Sequence, residues 1–471
     1  MTKQVKVRNP YTGEHDYEFT DAGPDEVRSA CERVRTGQPA WAALSLDERL
    51  AALERFGEAI GQHREALVAA LTADTGRAMI PGIEIDGLAG FIRRAVADAP
   101  RALNSAPARP AHIPTIHGST HRVPFGVVGN ISPWNFPVIL SFIDTFPALA
   151  AGNAVVIKPS EVTPRWVEPM RAAIAACPEI AAVLDIVVGT GQAGAALVDC
   201  VDAVVFTGSV PTGRKVAEGA ARNFIPAFLE LGGKDPAVVL ASADVELAAR
   251  TITFCSVQST GQACQSLERA YVARDLYDDF VKQAIATAEG LAINYPDIDT
   301  GVIGPFIFAE QADKVQAQID DAVSKGAKVH CGGELLHHGG TWMRPTVLTD
   351  VTRDMLVLRE ETFGPVVPIM AFSSADEAVA LANDSQYGLS ASVFAGSVAE
   401  GEQLARRLRA GAVSVNDAAL TAMLHDFEHD SFGYSGLGRS RAGLSAFTRF
   451  TREQSVMSNI ESRPLLLNQL G

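Results

Sequence analysis

The sequence predicts an α/β protein with two doubly wound units, and three observations carry that expectation. Past Pro124, short apolar runs alternate with helix-patterned segments: Val127-Val128-Gly129, Ala154 to Ile157, Leu184 to Val188 and Ala203 to Phe206. Such alternation marks a parallel sheet wrapped by helices. A second series starts after Gly232-Gly233, with strand-like Ala237 to Leu240, helix-like Val245 to Val257, then strand-like Ala270 to Val272 and Ala412 to Val415. The glycine pair reads as a hinge between the two series. Length agrees: 471 residues, 47% apolar and 20% charged, make roughly two to four folded units with ordinary cores.

Taken in order, Asp25 to about Arg101 is helical, with Leu50, Leu53, Phe56 and Ile60 at three- and four-residue spacing. Ser45 followed by Glu48 reads as a capping box that opens the second helix. From Pro107 to Pro124 the text is Pro-rich and irregular, and the tail from Thr451 has apolar patches but no core of its own. Both segments read as material that packs against something else.

A formal charge of -15 and a pI near 5.2 repel phosphate backbones and anionic lipid, so neither nucleic acid nor a membrane is an expected partner. The cysteines Cys31, Cys177, Cys200, Cys255, Cys264 and Cys331 are too scattered for a disulfide framework or a metal site, and no metal is expected. Met1 to Thr20 has no apolar signal-peptide region, and the apolar tract Val138 to Ala151 is broken by Asp144 and Pro147. A cytoplasmic location is expected.

Three strand ends carry candidate ligand-binding chemistry. Gly189-Thr190-Gly191-Gln192-Ala193-Gly194 matches G-x-G-x-x-G between strand and helix, and reads either as phosphate contact or as a tight turn. The acidic residue that should follow such a fingerprint is at best Asp202. After Phe206-Thr207, Gly208-Ser209 leads through Gly213 into a helix, whose N-terminus either receives a pyrophosphate or is simply capped by Ser209. Lys158-Pro159-Ser160-Glu161 offers an ammonium and a carboxylate to a ribose, or is a solvated charge pair. Ligands of open α/β sheets bind at the carboxyl ends of strands, so the three sites gain weight together.

Cys264, in Gly261-Gln262-Ala263-Cys264, sits in a loop of small residues where a thiol can reach substrate, whereas Cys31 and Cys177 lie in helical patterns. Glu230 interrupts the apolar Phe228-Leu229-Glu230-Leu231 and must be paired, neutral or functional. Asn135, between Pro133-Trp134 and Phe136-Pro137, is either a turn residue or an amide donor aimed into a cavity.

Together these segments resemble the aldehyde dehydrogenase superfamily. The likeness runs in family order through Pro133-Trp134-Asn135-Phe136-Pro137, Gly152-Asn153, Lys158-Pro159-Ser160-Glu161, Phe206-Thr207-Gly208-Ser209, Glu230-Leu231-Gly232-Gly233-Lys234, Gly261-Gln262-x-Cys264 and Glu361-x-Phe363-Gly364-Pro365. The resemblance implies a catalytic Cys264, an oxyanion donor in Asn135 and a general base in Glu230. It implies cofactor contacts from Trp134, Lys158, Ser160, Glu161, Gly191, Gly208, Ser209, Gly213, Leu231, Glu361 and Phe363. NAD is expected, with NADP possible, because Glu161 would repel a 2'-phosphate. It also implies a cofactor domain of residues 1–106 and 125–232, a catalytic domain of 233–447, and a small β oligomerisation arm of 107–124 and 448–471, hence a homodimer or homotetramer.

The sequence departs from the family pattern near its C-terminus. Ser431-Phe432-Gly433-Tyr434-Ser435-Gly436-Leu437-Gly438-Arg439 keeps only the end of a Pro-Phe-Gly-Gly-x-Lys-x-Ser-Gly run, and Asp144 stands where relatives often carry lysine. The helix after Asn135 offers an apolar wall of Phe136, Ile139, Leu140 and Ile143, faced by Leu424 and Phe427 with His425 and His429 beside them. An apolar or aromatic aldehyde is therefore the expected substrate. Two rivals stay open: a CoA-acylating dehydrogenase, disfavoured by Glu230, and a non-catalytic protein retaining the fold.

Overall fold

The computed structural model describes residues 3–461 and 465–466. The end of the expected 448–471 arm segment thus lies partly outside the described residues. An antiparallel hairpin of Gln4–Arg8 and His15–Thr20 precedes four helices, Pro24–Ala43, Leu46–Gln62, Arg64–Thr75 and Ile80–Leu103. Ser45 opens the second helix as its sequence predicts: its Oγ accepts from the Glu48 N–H at 3.3 Å, and Glu48 accepts from the Ser45 N–H at 2.7 Å.

The first alternating series forms a six-stranded sheet in the order Gly436–Leu437, Ala227–Glu230, Ala203–Thr207, Val127–Ile131, Ala154–Lys158, Leu184–Ile186. All neighbours are parallel except Gly436–Leu437, which joins Ala227–Glu230 antiparallel from late in the chain. The chain builds from Val127–Ile131 toward Leu184–Ile186, then crosses to place Ala203–Thr207 on the other side. That reversal opens a crevice at the strand carboxyl ends. Three of its central strands, Ala203–Thr207, Val127–Ile131 and Ala154–Lys158, are rich in Val, Ile and Ala because helices cover both faces. The Leu184 strand ends earlier than its apolar run, since the Val188 carbonyl turns to accept from the Ala22 N–H.

The second series forms a seven-stranded sheet in the order Lys328–Cys331, Thr346–Thr349, Val366–Phe372, Leu267–Ala273, Asp235–Val239, Ser390–Phe394, Ala412–Val415. Only Lys328–Cys331 runs antiparallel to its neighbour. The Gly232-Gly233 link between the sheets serves close approach: a Cβ on Gly232 would stand 2.3 Å from the Glu361 carboxylate, and one on Gly233 2.9 Å from the Cys264 carbonyl.

The stretch read as irregular is ordered by distant pairing. Ile116–Pro124 lies antiparallel to Thr451–Asn459 over its whole length, with Arg109–Pro110 added at the edge. Local propensity carries no record of a partner more than three hundred residues away, which is why this strand is not readable from its own segment. The apolar core under the six-stranded sheet draws on Phe56, Phe142, Phe146 and Trp166, and Phe447 and Phe450 join it from the C-terminal region. Among the described residues no helix is long and apolar enough to cross a membrane.

Candidate active site

The carboxyl ends of the six-stranded sheet open into a cleft of about 760 Å³. Cys264 reaches it on a loop held by unusual backbone. Ser259, Thr260 and Gly261 follow one another with φ of 55°, 62° and 66°. A Cβ on Gly261 would lie 2.1 Å from the Gly364 carbonyl oxygen, so glycine is required there. The loop is tied on all sides: Thr260 Oγ1 donates to the Gly304 carbonyl at 2.8 Å, and Gln262 Oε1 accepts from the Ile307 N–H at 2.9 Å. Cys264 itself is half-buried and lines the cleft. Burial pushes its thiol up to about 12, with Asp235, Glu361 and Glu230 acting in the same direction and Arg441 opposing them.

Asn135 is buried beside this loop, and its Nδ2 donates to the Gln262 carbonyl at 3.0 Å. The Arg77 guanidinium ties the two segments together, donating to the Asn135 carbonyl at 2.7 Å and to the Ser259 carbonyl at 3.0 Å. Glu230 ends its strand at the cleft with 17% of its side chain exposed. Behind it lie two buried arginines: Arg441 Nε is 3.7 Å and Arg449 NH1 4.0 Å from Glu230 Oε1. Both arginines also pair with buried Asp144.

Along the cleft, Lys158 Nζ donates to Glu161 Oε2 at 2.8 Å, with Ser160 beside them. Ser209 begins the helix Val210–Arg222 but makes no side-chain cap; its hydroxyl bonds Thr212 Oγ1 at 3.2 Å, so simple capping does not account for it. Gly208 lines the cleft, whereas Gly213 does not. A Cβ on Gly213 would lie 2.6 Å from Leu231, so this glycine lets the helix pack against a cleft residue. The G-x-G-x-x-G segment forms a turn at the edge of the cleft. Asp21 fixes the turn by accepting from the Thr190 N–H at 2.8 Å, while Gly191 and Gly194 face the cleft. Asp202 serves neither: it accepts from Arg35 and from the Val127 N–H at the opposite end of the sheet.

The far wall is Trp134 edge-on to Phe363, with ring centroids 5.4 Å apart, and Glu361. Burial, with Glu268 next in effect, pushes the Glu361 carboxyl up to about 8. Of the expected apolar substrate wall, Leu140 lines this cleft. Ile143 is buried, Phe136 lies under the Arg77 guanidinium at 5.2 Å, and Ile139 accepts no place on the cleft lining. Leu424 and Phe427 are 47% and 76% exposed and lie outside it. Of these six, Leu140 is the one that shares the lining of this cleft with Cys264. Sequence reading missed Arg77, Glu268, Arg441 and Arg449. The one available signal was Glu268-Arg269, a charged pair inside the apolar strand Leu267–Ala273.

The cleft fits a dinucleotide: its volume of about 760 Å³ is that of a cofactor site, it has an uncapped helix start beside Gly208, and it is open at Gly191, where a Cβ would meet nothing within 4 Å. Two parallel sheets meeting at a cleft that presents a loop-borne thiol define this chain as an α/β enzyme. It belongs to the aldehyde dehydrogenase family, whose family model matches residues 1–456. A solved structure described as "Putative Aldehyde Dehydrogenase PutA" from Anabaena variabilis superposes with a TM-score of 0.96 at 49% identity, covering 98% of this chain and 99% of that one. A Mycolicibacterium smegmatis protein named "Putative succinate-semialdehyde dehydrogenase", NADP(+), is 35% identical over 96% of this chain and 88% of its own length. A Methylomonas protein named 4,4'-diapolycopene aldehyde oxidase is also 35% identical, over 98% of this chain and 87% of its own.

Proposed function

We propose that this chain oxidises an aldehyde to its carboxylic acid with a nicotinamide dinucleotide, through a thioester on Cys264. The observation that carries the reading is that Cys264, Asn135 and Glu230 all line the cleft that Lys158, Ser209, Glu361 and Phe363 also line. Lys158, Ser160 and Glu161 would hold the adenosine ribose, and Gly191, Gly208 and Ser209 the pyrophosphate. Trp134, Leu231, Glu361 and Phe363 would hold the nicotinamide end. Bound there, the nicotinamide supplies the acceptor for the hydride that leaves the substrate carbon.

The chain's own residues supply the rest. The Cys264 sulfur, as thiolate, adds to the carbonyl carbon. Asn135 has one Nδ2–H committed to Gln262 and the other left for the oxyanion, and the Cys264 backbone N–H is the second donor. Glu230 takes a proton from the water that attacks the thioester, and sulfur departs as thiolate with release of the acid. Glu161 favours NAD through repulsion of a 2'-phosphate. Its 2.8 Å pairing with Lys158 blunts that repulsion, and Lys215 and Arg222 line the same cleft, so NADP is expected to bind too.

The substrate reading is an apolar or aromatic aldehyde, supported by Leu140 on the cleft. The arm of Arg109–Pro110, Ile116–Pro124 and Thr451–Asn459 exposes Val123, Val456 and Met457, which supports a homodimer or homotetramer joined through it. The test is an aldehyde panel followed by formation of reduced nicotinamide, with NAD and NADP in parallel and CoA present or absent. Oxidation to the free acid, abolished by Cys264→Ala, is expected. Activity surviving that substitution, or acyl-CoA as product, would overturn the mechanism. A tenfold preference for succinic semialdehyde would overturn the substrate class.

A further inference from the structure

Asp144, Glu230, Arg441 and Arg449 form a buried group of two anions and two cations drawn from four separate segments. Asp144 is almost fully buried in the helix Ile139–Ala150, and its carboxylate accepts from Arg441 at 2.6 Å and from Arg449. Arg441 donates also to Thr207 Oγ1 at 2.8 Å, on the strand next to the one that Glu230 ends. Its Nε is buried without a hydrogen-bond partner, and this is the atom 3.7 Å from Glu230 Oε1. An unpartnered buried N–H is rare, and here it faces a carboxylate one small side-chain movement away. Arg441 does not line the cleft, so it acts from behind the wall.

We propose that Arg441 is a positioning residue: anchored by Asp144 and Thr207, it turns its free N–H to Glu230 and its charge to Cys264, so that thiolate and base carboxylate coexist in one cleft. The inference rests on the roles given above to Cys264 and Glu230. Without a cation, two anions sharing a desolvated site disfavour each other's ionised form. Among the described residues, the charges that act most on the Cys264 thiol are those of Arg441, Asp235, Glu361 and Glu230, and of these four Arg441 is the cation. Asp144 then serves to hold that cation in place rather than to touch substrate.

The test is the rate of Cys264 alkylation by iodoacetamide across about pH 7 to pH 10, scored on the Cys264 peptide by mass spectrometry, beside kcat and KM. Arg441→Gln is expected to slow alkylation about three- to tenfold at fixed pH and to shift its profile upward, as loss of a nearby cation raises a thiol. Arg441→Lys is expected to stay within about threefold of the parent. Because Arg441→Gln strips Asp144 of a partner and can impair folding, the double variant Asp144→Asn/Arg441→Gln removes one charge of each sign and is expected to show the same shift. Folded variants with the parental alkylation profile would overturn the inference, even where aldehyde oxidation by the parent stands. The altered profile in the variants, with a parent that oxidises no aldehyde, would instead overturn the functional reading alone.

Discussion

The Asn135 amide donates a 3.0 Å hydrogen bond to the carbonyl of Gln262, two residues before the thiol of Cys264. This bond sets the orientation of the amide without using its second N–H. Asn135→Ala is expected to lower kcat by about 10²–10³ with little change in KM, the usual effect of removing one oxyanion donor. Steady-state kinetics check this, and a loss below about fivefold would remove Asn135 from the proposed role.

Gly261 tests whether the thiol loop needs its left-handed path. With φ of 66° and the Gly364 oxygen 2.1 Å from an added Cβ, Gly261→Ala must shift the backbone that presents Cys264. The expected result is at least about 1–3 kcal/mol of lost stability and a fall in kcat/KM. Denaturant unfolding and kinetics with full parental values would contradict it.

Glu268 organises the wall opposite. It accepts from Lys234 Nζ at 2.7 Å and from the N–H groups of Thr362 and Phe363, each at 2.8 Å, between Glu361 and the Phe363 ring. Glu268→Gln leaves buried Lys234 short of its counter-charge, so a destabilisation of about 3–5 kcal/mol is expected. In the protein that still folds, the KM for dinucleotide should rise several-fold while the aldehyde KM changes little. Unchanged cofactor KM would show that Glu361 and Phe363 do not depend on this anchor.

Asp235 links the site to pH-dependent stability. Burial pushes its carboxyl from 3.8 to about 8, and Ser390 bonds to both carboxylate oxygens. The folded state therefore binds a proton that the unfolded state has released, and this contribution to stability is lost as pH rises from about 4 through 8. Asp235→Asn keeps the hydrogen-bonding shape without the titration. The fall in Tm between about pH 6 and pH 9 should be smaller in the variant by a few degrees, and parallel Tm profiles would refute the assignment.

Some of this site was legible because its determinants are local. Short runs of Val, Ile and Ala between helix patterns specify parallel strands wherever their partners lie, so the strands Ala154–Lys158, Ala203–Thr207 and Ala412–Val415 match their apolar segments closely. The motif residues Asn135, Glu230 and Cys264 stand out for a similar reason: a polar or reactive group amid apolar or small neighbours needs an explanation within its own segment.

The rest depends on segments that only folding brings together. Arg441 and Arg449 carry no local mark, and they matter because a late turn of chain returns to the first sheet through Gly436–Leu437 and places them behind Glu230. Asp144 reads in sequence as an odd charge in an apolar helix, and only the structure supplies its two counter-charges. By itself the sequence determined the helices and most strands of the two large sheets and singled out the candidate reacting groups, since these follow from periodicity and side-chain chemistry. The tertiary structure alone decided the electrostatic surroundings of those groups and the walls of the cleft, because charges and side chains act through distance in space and not along the chain.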